Sequence, residues 1–275
     1  MPSSKMLRPF SLIKAPLLSA RSHRHLLWEF VLRDLKGRFA GSMAGALWAL
    51  INPLATIIVY LFIFSLILRV QVAVEETGTD SFAIYFLSGL FPWLLFSESL
   101  SRSVGILIEN ANLITKVVFP VELLPAGTVV SAFIINGVGM VLFLFYLIFQ
   151  GHAHMTWLFL LFLIPTQMIF TWGLAYLLAA VCVFIRDIRE LLGIILMAWF
   201  FATPIIYPLS MVPDSLRAVV SLNPMGVFVD LYRDAVFVHE IDWIMATSIG
   251  IISLISYGIG SWFFMRAKPA FGDVL

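Results

Sequence analysis

Leu123-Leu-Pro-Ala-Gly-Thr-Val-Val-Ser-Ala-Phe-Ile-Ile-Asn-Gly-Val-Gly-Met-Val-Leu-Phe-Leu-Phe-Tyr-Leu-Ile-Phe149 runs without one charged side chain. It exceeds the ~20 apolar residues needed to cross a hydrocarbon core of ~30 Å, so this chain belongs in a bilayer. Working outward, five more runs qualify: Leu47 to Leu68, Ser81 to Leu100, Trp157 to Ile185, Leu192 to Tyr207 and Ile244 to Met265. The composition agrees. Of 275 residues 61% are hydrophobic and 12% charged, with mean hydropathy +1.00, against roughly 45–50% and ~25% in soluble domains. No soluble core of this length hides that much apolar surface, and the same figures exclude disorder. The expected fold is an all-α polytopic membrane protein with six transmembrane helices. The fifth run is the shortest, and Pro204 and Pro208 break its outer end. Pro92 and Pro165 are expected to kink the second and fourth spans and to keep them packed within protein.

Charge sets the orientation. Lys5, Arg8, Lys14, Arg21, Arg24, Arg33, Lys36 and Arg38 precede the first span, against Glu29 and Asp34 alone. With that segment inside, Arg102, Lys116, Arg186, Arg189, Arg266 and Lys268 also fall inside, whereas only Arg69, Arg217 and Arg233 fall outside. The positive-inside rule therefore places both termini in the cytoplasm. Glu75, Glu76, Asp80, Asp214, Asp230, Asp234, Glu240 and Asp242 add an acidic outer side. The first span itself is expected to target the chain, because no secretory-signal pattern precedes it. The net charge of +1 reflects membrane orientation and points to no nucleic-acid partner.

Several segments carry more specific signals. From His25 to Ser42, Trp28, Val31, Leu32, Leu35 and Phe39 recur at three- and four-residue steps, with Glu29, Arg33 and Lys36 opposite; this is an amphipathic interface helix. It serves either as a plain membrane anchor or as a ledge for a cytoplasmic subunit. The inner loop Glu109-Asn-Ala-Asn-Leu-Ile-Thr-Lys116-Val-Val-Phe-Pro120 reads as a short helix stopped by proline. Too short to persist alone in water, it packs either on its own protein or on a partner through Leu113 and Ile114. Arg186 and Glu190 are spaced to pair along a helix, and an intrahelical Glu98–Arg102 pair is expected near the inner end of the second span. Pro213 to Val238 is too short and polar to cross twice, so two half-depth helices broken at Asn223-Pro224 are expected, a candidate outer gate.

Aromatic rings share faces with polar groups. Trp48, Tyr60 and Phe64 lie with Asn52 and Thr56, while Trp199, Phe200, Thr203 and Tyr207 crowd the outer half of the fifth run. Most membrane aromatics serve packing or interfacial belts. A face mixing rings with amide and hydroxyl groups also suits a sugar-conducting path, since rings meet sugar C–H groups and polar neighbours exchange hydrogen bonds. No Gly-Lys dipeptide and hence no phosphate-binding loop of that kind occurs. Cys182 is a lone cysteine, and His23, His25, His152, His154 and His239 fall in loops or near interfaces.

Taken in order, Arg33-Asp-Leu-Lys-Gly-Arg-Phe39, Ser42-Met-Ala-Gly-Ala-Leu-Trp48-Ala-Leu-Ile-Asn52-Pro53-Leu, the Glu109–Pro120 loop, Phe184-Ile-Arg-Asp-Ile188, Thr203-Pro-Ile-Ile-Tyr207, Leu222-Asn-Pro224 and Leu231-Tyr-Arg-Asp234 resemble the permease subunits of ABC exporters for O-antigen, teichoic acid and capsular polysaccharide. The resemblance covers the chain from about residue 25 onward. It implies a half-transporter of the bacterial inner membrane: two copies of this chain with two copies of a separate ATPase that binds ATP and Mg, this chain holding no cofactor or metal and no catalytic residue of its own. The cargo implied is a lipid-linked polysaccharide, in a setting of membrane lipids. Residues 1–24 are then a cytoplasmic basic tail, 25–43 the interface helix and 44–275 one transmembrane domain. By the same resemblance Trp28, Arg33, Lys36, Glu109, Asn110, Asn112, Leu113, Ile114 and Lys116 couple to the ATPase, the short helix being a coupling helix. Trp48, Asn52, Tyr60, Phe64, Trp199, Phe200 and Tyr207 line the channel, and Asn223, Pro224, Tyr232 and Arg233 belong to the periplasmic gate. Two rival readings stand beside it: a permease for a drug or small lipid, and a membrane-embedded glycan-modifying enzyme. The enzyme needs buried carboxylates or histidines, of which the spans offer almost none.

Overall fold

The computed structural model describes residues 9–68 and 79–275. Lys5, Arg8, Arg69, Glu75 and Glu76, used above for orientation, lie outside the described residues. Every regular element among the described residues is helical. α1 (Pro9–Ser22) and α2 (Arg24–Arg38) lead into α3 (Trp48–Leu61), which ends in a π turn over Phe62–Ile67. Then follow α4 (Phe82–Ser103), the short α5 (Ala111–Lys116) and α6 (Leu123–Phe149). α7 (Leu160–Phe184) begins after a 3-10 turn over Met155–Phe159 and is followed by α8 (Ile188–Ala202) and α9 (Asp214–Ser221). α10 (Pro224–Arg233) passes into a π turn over Asp234–Val238, and α11 (Trp243–Ala267) closes the bundle.

Among the described residues five helices, with their adjoining turns, are long and apolar enough to span a membrane: Gly45–Ile67, Phe82–Ser103, Leu123–Phe149, Met155–Phe184 and Trp243–Val274. The expected fifth span, Leu192 to Tyr207, takes a different form. α8 has 15 residues, a length of ~22 Å at 1.5 Å per residue, short of the ~30 Å core. The chain becomes extended at Thr203 (φ −99°, ψ 133°), because Pro204 lacks an N–H and disfavours helix in the residue before it. Within the segment read above as a basic tail, α1 is helical and packs along α11, with Ile13 against Gly258.

α4 is the hub. Its side chains are buried almost continuously from Phe82 to Ser103, against α6, α7 and α10. At the opposite extreme α3 buries only Ile57, and α8 only Leu192 and Leu196. A neighbour reaches into α4 beside its proline: Gln167, fully buried on α7, donates from Nε2 to Pro92 O (2.7 Å) and accepts from Tyr232 Oη (2.9 Å). One amide thereby ties α4, α7 and α10 together inside the apolar core. α7 and α11 cross closely because both are glycine there. A Cβ on Gly260 would sit 1.8 Å from Gly173 O, and one on Gly173 would sit 2.3 Å from the Ser256 backbone. Ser256 Oγ donates to Phe170 O (3.0 Å) across the same crossing.

Gly260→Ala is therefore expected to destabilise the protein by about 1–3 kcal/mol through overpacking. Gly193→Ala, where a Cβ meets nothing within 4 Å, is expected to be neutral or slightly stabilising. Thermal unfolding of both variants in detergent checks the contrast.

Candidate functional site

α2 lies against α6, with the Phe30 ring and Leu27 over Gly127 and Val31 fully buried. Val31, Leu35 and Phe39 face inward as the spacing indicated, but Trp28 is 52% exposed and points away from the body. Arg33 and Lys36 are exposed beside a shallow cleft of about 540 Å³ formed with Glu29, Leu32 and Ala40.

The inward stripe of α2 also carries two charges, and these correct the expected Glu98–Arg102 pairing. Arg38 Nη1 binds Glu98 Oε1 at 2.5 Å, and Arg102 binds Asp34. Asn136 of α6 donates to the second Glu98 oxygen (2.6 Å), and Arg38 Nε lies 4.0 Å from Asp34 Oδ2. The physical reason is complementary spacing: Asp34 and Arg38 are one helical turn apart, as are Glu98 and Arg102, so crossing the helices pairs all four charges at once. These pairs are largely shielded, with 13% of the Arg38 side chain and 14% of Asp34 exposed. The ladder bolts α2 to the inner end of α4. The pairing expected between Arg186 and Glu190 does not form among the described residues, since Arg186 precedes the start of the helix at Ile188; instead Arg189 Nη2 reaches Glu109 Oε1 at 3.1 Å. Half-exposed, this pair contributes little, but it links the start of α8 to the segment before α5.

α5 projects Asn112, Thr115 and Lys116 outward, while Leu113 and Ile114 are half-buried on the protein's own apolar cluster. Asn110 spends its amide on Ile106 O (2.9 Å) rather than on a cap. The barest apolar groups lie just beyond the helix, at Val117 and the fully exposed Val118. Close by, Lys268 Nζ meets Glu122 Oε2 at 2.6 Å, tying the end of the chain to the start of α6. Burial pushes the Glu122 carboxyl up, but the Lys268 hydrogen bond and other hydrogen bonds outweigh it and hold the group below its ordinary value.

The aromatic residues singled out above form three groups rather than one row. Trp48 and Asn52 join Thr56, Asn136, Arg102 and Glu98 around a cavity of about 400 Å³ at the inner ends of α3, α4 and α6. Tyr60 and Phe64 are half-buried on α4, with Tyr60 4.6 Å from Phe86 and Phe64 4.8 Å from Phe82 between centroids. Trp199 stands edge-on to Phe96 (5.1 Å) and Phe200 lies 5.5 Å from Trp93. Tyr207 turns its hydroxyl to Phe201 O (2.7 Å), and its own carbonyl accepts from Tyr85 Oη (3.1 Å). Outside these rings, α3 and α8 present bare apolar faces, including Ile58, Val59 and Phe62 on one side and Ile194, Met197 and Phe201 on the other.

On the opposite side the broken segment is held by two polar hubs. Asn223 caps α10 by accepting from Met225 N (3.0 Å), accepts from Trp199 Nε1 (2.7 Å), and donates to Thr203 Oγ1 (2.9 Å) and Ala202 O (3.2 Å). Pro224 follows at the first helical position, where its missing N–H costs nothing. Arg233 is 6% exposed. Its Nη1 donates to Pro204 O (2.8 Å), Nη2 to Tyr85 O (3.3 Å) and Ile205 O (3.4 Å), and Nε to Ser88 Oγ (3.4 Å). The guanidinium also stacks 3.6 Å from the Tyr85 ring centroid and lies 3.6 Å from Asp230. A planar, multiply donating cation suits a site with several carbonyls to satisfy. Tyr232, beside it, is committed to Gln167. Gln167, Asp34, Arg38, Asn136 and Tyr85 were not singled out as site residues; a lone amide within the apolar run of α7 was the one signal pointing to Gln167.

Residues 25–237 match the family model for ABC-2 type transporters. The O-antigen export system permease protein RfbA of Myxococcus xanthus is 34% identical over 226 residues, covering 80% of this chain and 83% of the relative. An O-antigen export system permease protein RfbA of Klebsiella pneumoniae is 29% identical over 254 residues, covering 91% and 95%. The polysialic acid transport protein KpsM of Escherichia coli is 28% identical over 208 residues, covering 74% and 78%.

Removing one member of the α2–α4 ladder leaves a shielded charge without its counterpart. Asp34→Ala and Arg102→Ala are each expected to cost about 1–3 kcal/mol of stability, and the double variant less than their sum. A double-mutant cycle of thermal unfolding measures that coupling. With its bundle of apolar helices, its charge-bolted inner helix and its pinned break before α10, this chain belongs to the ABC-2 type transporter family.

Proposed function

We propose that this chain is the transmembrane subunit of an ATP-driven exporter that moves a lipid-linked polysaccharide, O-antigen or a similar cell-surface glycan, outward across the bacterial inner membrane. The relatives named for O-antigen export and polysialic acid transport support the cargo class. The observation that carries the reading is the pair of uncovered faces on α3 and α8. A chain whose sparsely buried α3 and α8 carry Trp48, Asn52, Trp199 and Phe200 is half of a conduit, completed by a second copy. Around that axis Trp48, Asn52, Tyr60, Phe64, Trp199, Phe200 and Tyr207 supply ring faces and single hydrogen bonds to passing sugars, too weak individually to trap them.

In this reading α8 completes the set of six crossings, shortened because the broken segment occupies the outer half of the membrane beside it. α9 and α10 are then half-depth helices forming the periplasmic gate. The excess of basic residues before the first span and in the loops on its side supports a cytoplasmic position for both termini. Power comes from two copies of an ABC ATPase, which hold the ATP and Mg and grip Trp28, Arg33 and Lys36 of α2 together with the Glu109–Lys116 coupling region. Closure of the ATPase pair shifts these helices, and the charge ladder passes the motion to α4 as a rigid unit.

Leu113→Asp is expected to abolish ATP-driven export while leaving membrane insertion intact. Because Leu113 also touches the protein's own core, Val118→Asp provides the same test at a side chain fully exposed to solvent. Export assayed in proteoliposomes with the ATPase decides: transport unchanged in both correctly inserted variants overturns the docking assignment.

A further inference from the structure

Three of the chain's five histidines meet on the outer side, where the loop after α6 touches the end of the α10 segment. The His154 and His239 rings stack with centroids 4.1 Å apart and planes tilted by 33°. His152 stands edge-on to Phe237 at 6.1 Å. Thr156 is the hinge pin: its hydroxyl donates to Ala235 O (2.6 Å) and lies 3.0 Å from His154 Nδ1 and 3.3 Å from His239 Nδ1. His154 Nδ1 also accepts from Thr156 N (3.3 Å), capping the 3-10 turn that opens α7. His239 closes the π turn, donating its N–H to Asp234 O (2.8 Å), and takes a left-handed conformation (φ 61°). This costs any side chain other than glycine, and asparagine least of the rest.

We propose that these residues form an acid-released latch: with neutral imidazoles the loop after α6 is clasped to the outer end of the α10 segment, and protonation in an acidic exterior lets it go. A proton on His154 Nδ1 removes the lone pair that caps the turn and leaves in its place a donor toward Thr156 Oγ1. Two cationic imidazoles at stacking distance repel. The surroundings provide little compensation. On the histidines' own segment Asp234, Glu240 and Asp242 are the acids; on the loop the one other titratable group is His152, of the same sign. Asp242 is engaged in capping α11 through Ile244 N and Met245 N, and Glu240 is exposed. Burial, with Asp230 and Asp242 nearby, pushes the Asp234 carboxyl up to about 6, so in acid it offers little negative charge to offset a cationic His239. Burial and then the positive charges of His154 and His152 hold His239 below its ordinary value. The sign follows: a base whose folded value is depressed binds fewer protons folded than released. The clasp is therefore intact above pH ~6.5 and weakens as pH falls below it.

The latch rests on this geometry; its bearing on export rests on reading α9 and α10 as the exit gate, so the test reads the clasp directly. Hydrogen–deuterium exchange of the full chain in lipid nanodiscs is compared at pH 7.5 and 5.0, each corrected for intrinsic exchange chemistry. Peptides covering 150–156 and 234–240 are expected to lose protection at least about tenfold in acid, with the α4 peptides unchanged. His154→Asn with His239→Asn keeps a capping acceptor and a residue tolerant of positive φ, and is expected to abolish the step; His239→Asn alone serves should the double variant fail to fold. No acid step in the wild type, or an equal step in the asparagine variants, overturns the proposal. Neither readout involves transport, so an error about the gate leaves the outcome for the latch unchanged.

Discussion

A backbone that leaves helical geometry inside a membrane must find protein partners for its polar groups, because lipid offers none. That constraint organises the half of this protein around the break at Thr203 and Pro204. Pro204 forces the chain out of helix after Ala202, and the carbonyls of Pro204 and Ile205 are answered by one buried guanidinium, Arg233. The last helical carbonyl of α8, at Ala202, is met by Asn223, which at the same time caps α10 and anchors Trp199. The break therefore follows from two side chains placed to complete it, both on the segment that returns from it. An Arg is needed because it offers several donors in one plane and can stack on Tyr85 at once.

The inner half follows a different logic. There the charges are near water but shielded, and two helices crossing with one-turn charge spacing pair four ions together. Such a ladder adds geometric definition more reliably than it adds stability, since desolvation offsets much of the attraction. A helix bound only by apolar contacts could slide; one bolted by Asp34 and Arg38 moves with α4. α4 in turn is the element packed against α6, α7 and α10, so the inner ledge and the outer break share one buried helix.

Much of this was legible from residue order. Uncharged runs located the long helices within a few residues, most cleanly at Leu123–Phe149, because a span's length and apolarity are local properties. Asn223-Pro224 announced the start of α10 for an equally local reason: a capping amide followed by a residue made for the first helical turn. What escaped were relations between distant segments. Glu98 and Arg102 looked like partners because they are neighbours, and nothing nearby in sequence says that α2 will arrive with a better match. Trp28 followed the periodicity of an inward face, yet beside Val31 α2 buries Phe30 in its place, with the Phe30 ring in the recess that Gly127 leaves open. The aromatic residues were identifiable as a set, but their division among three clusters depends on which rings α4 offers them.

In the proposed mechanism this chain is a conduit that does no work of its own. The direct measurement is transfer of lipid-linked glycan across liposomes containing this chain with and without its ATPase partner. Transfer against a gradient is predicted only when both subunits and ATP are present. Uphill movement of the glycan by this chain alone, with no nucleotide, would contradict it.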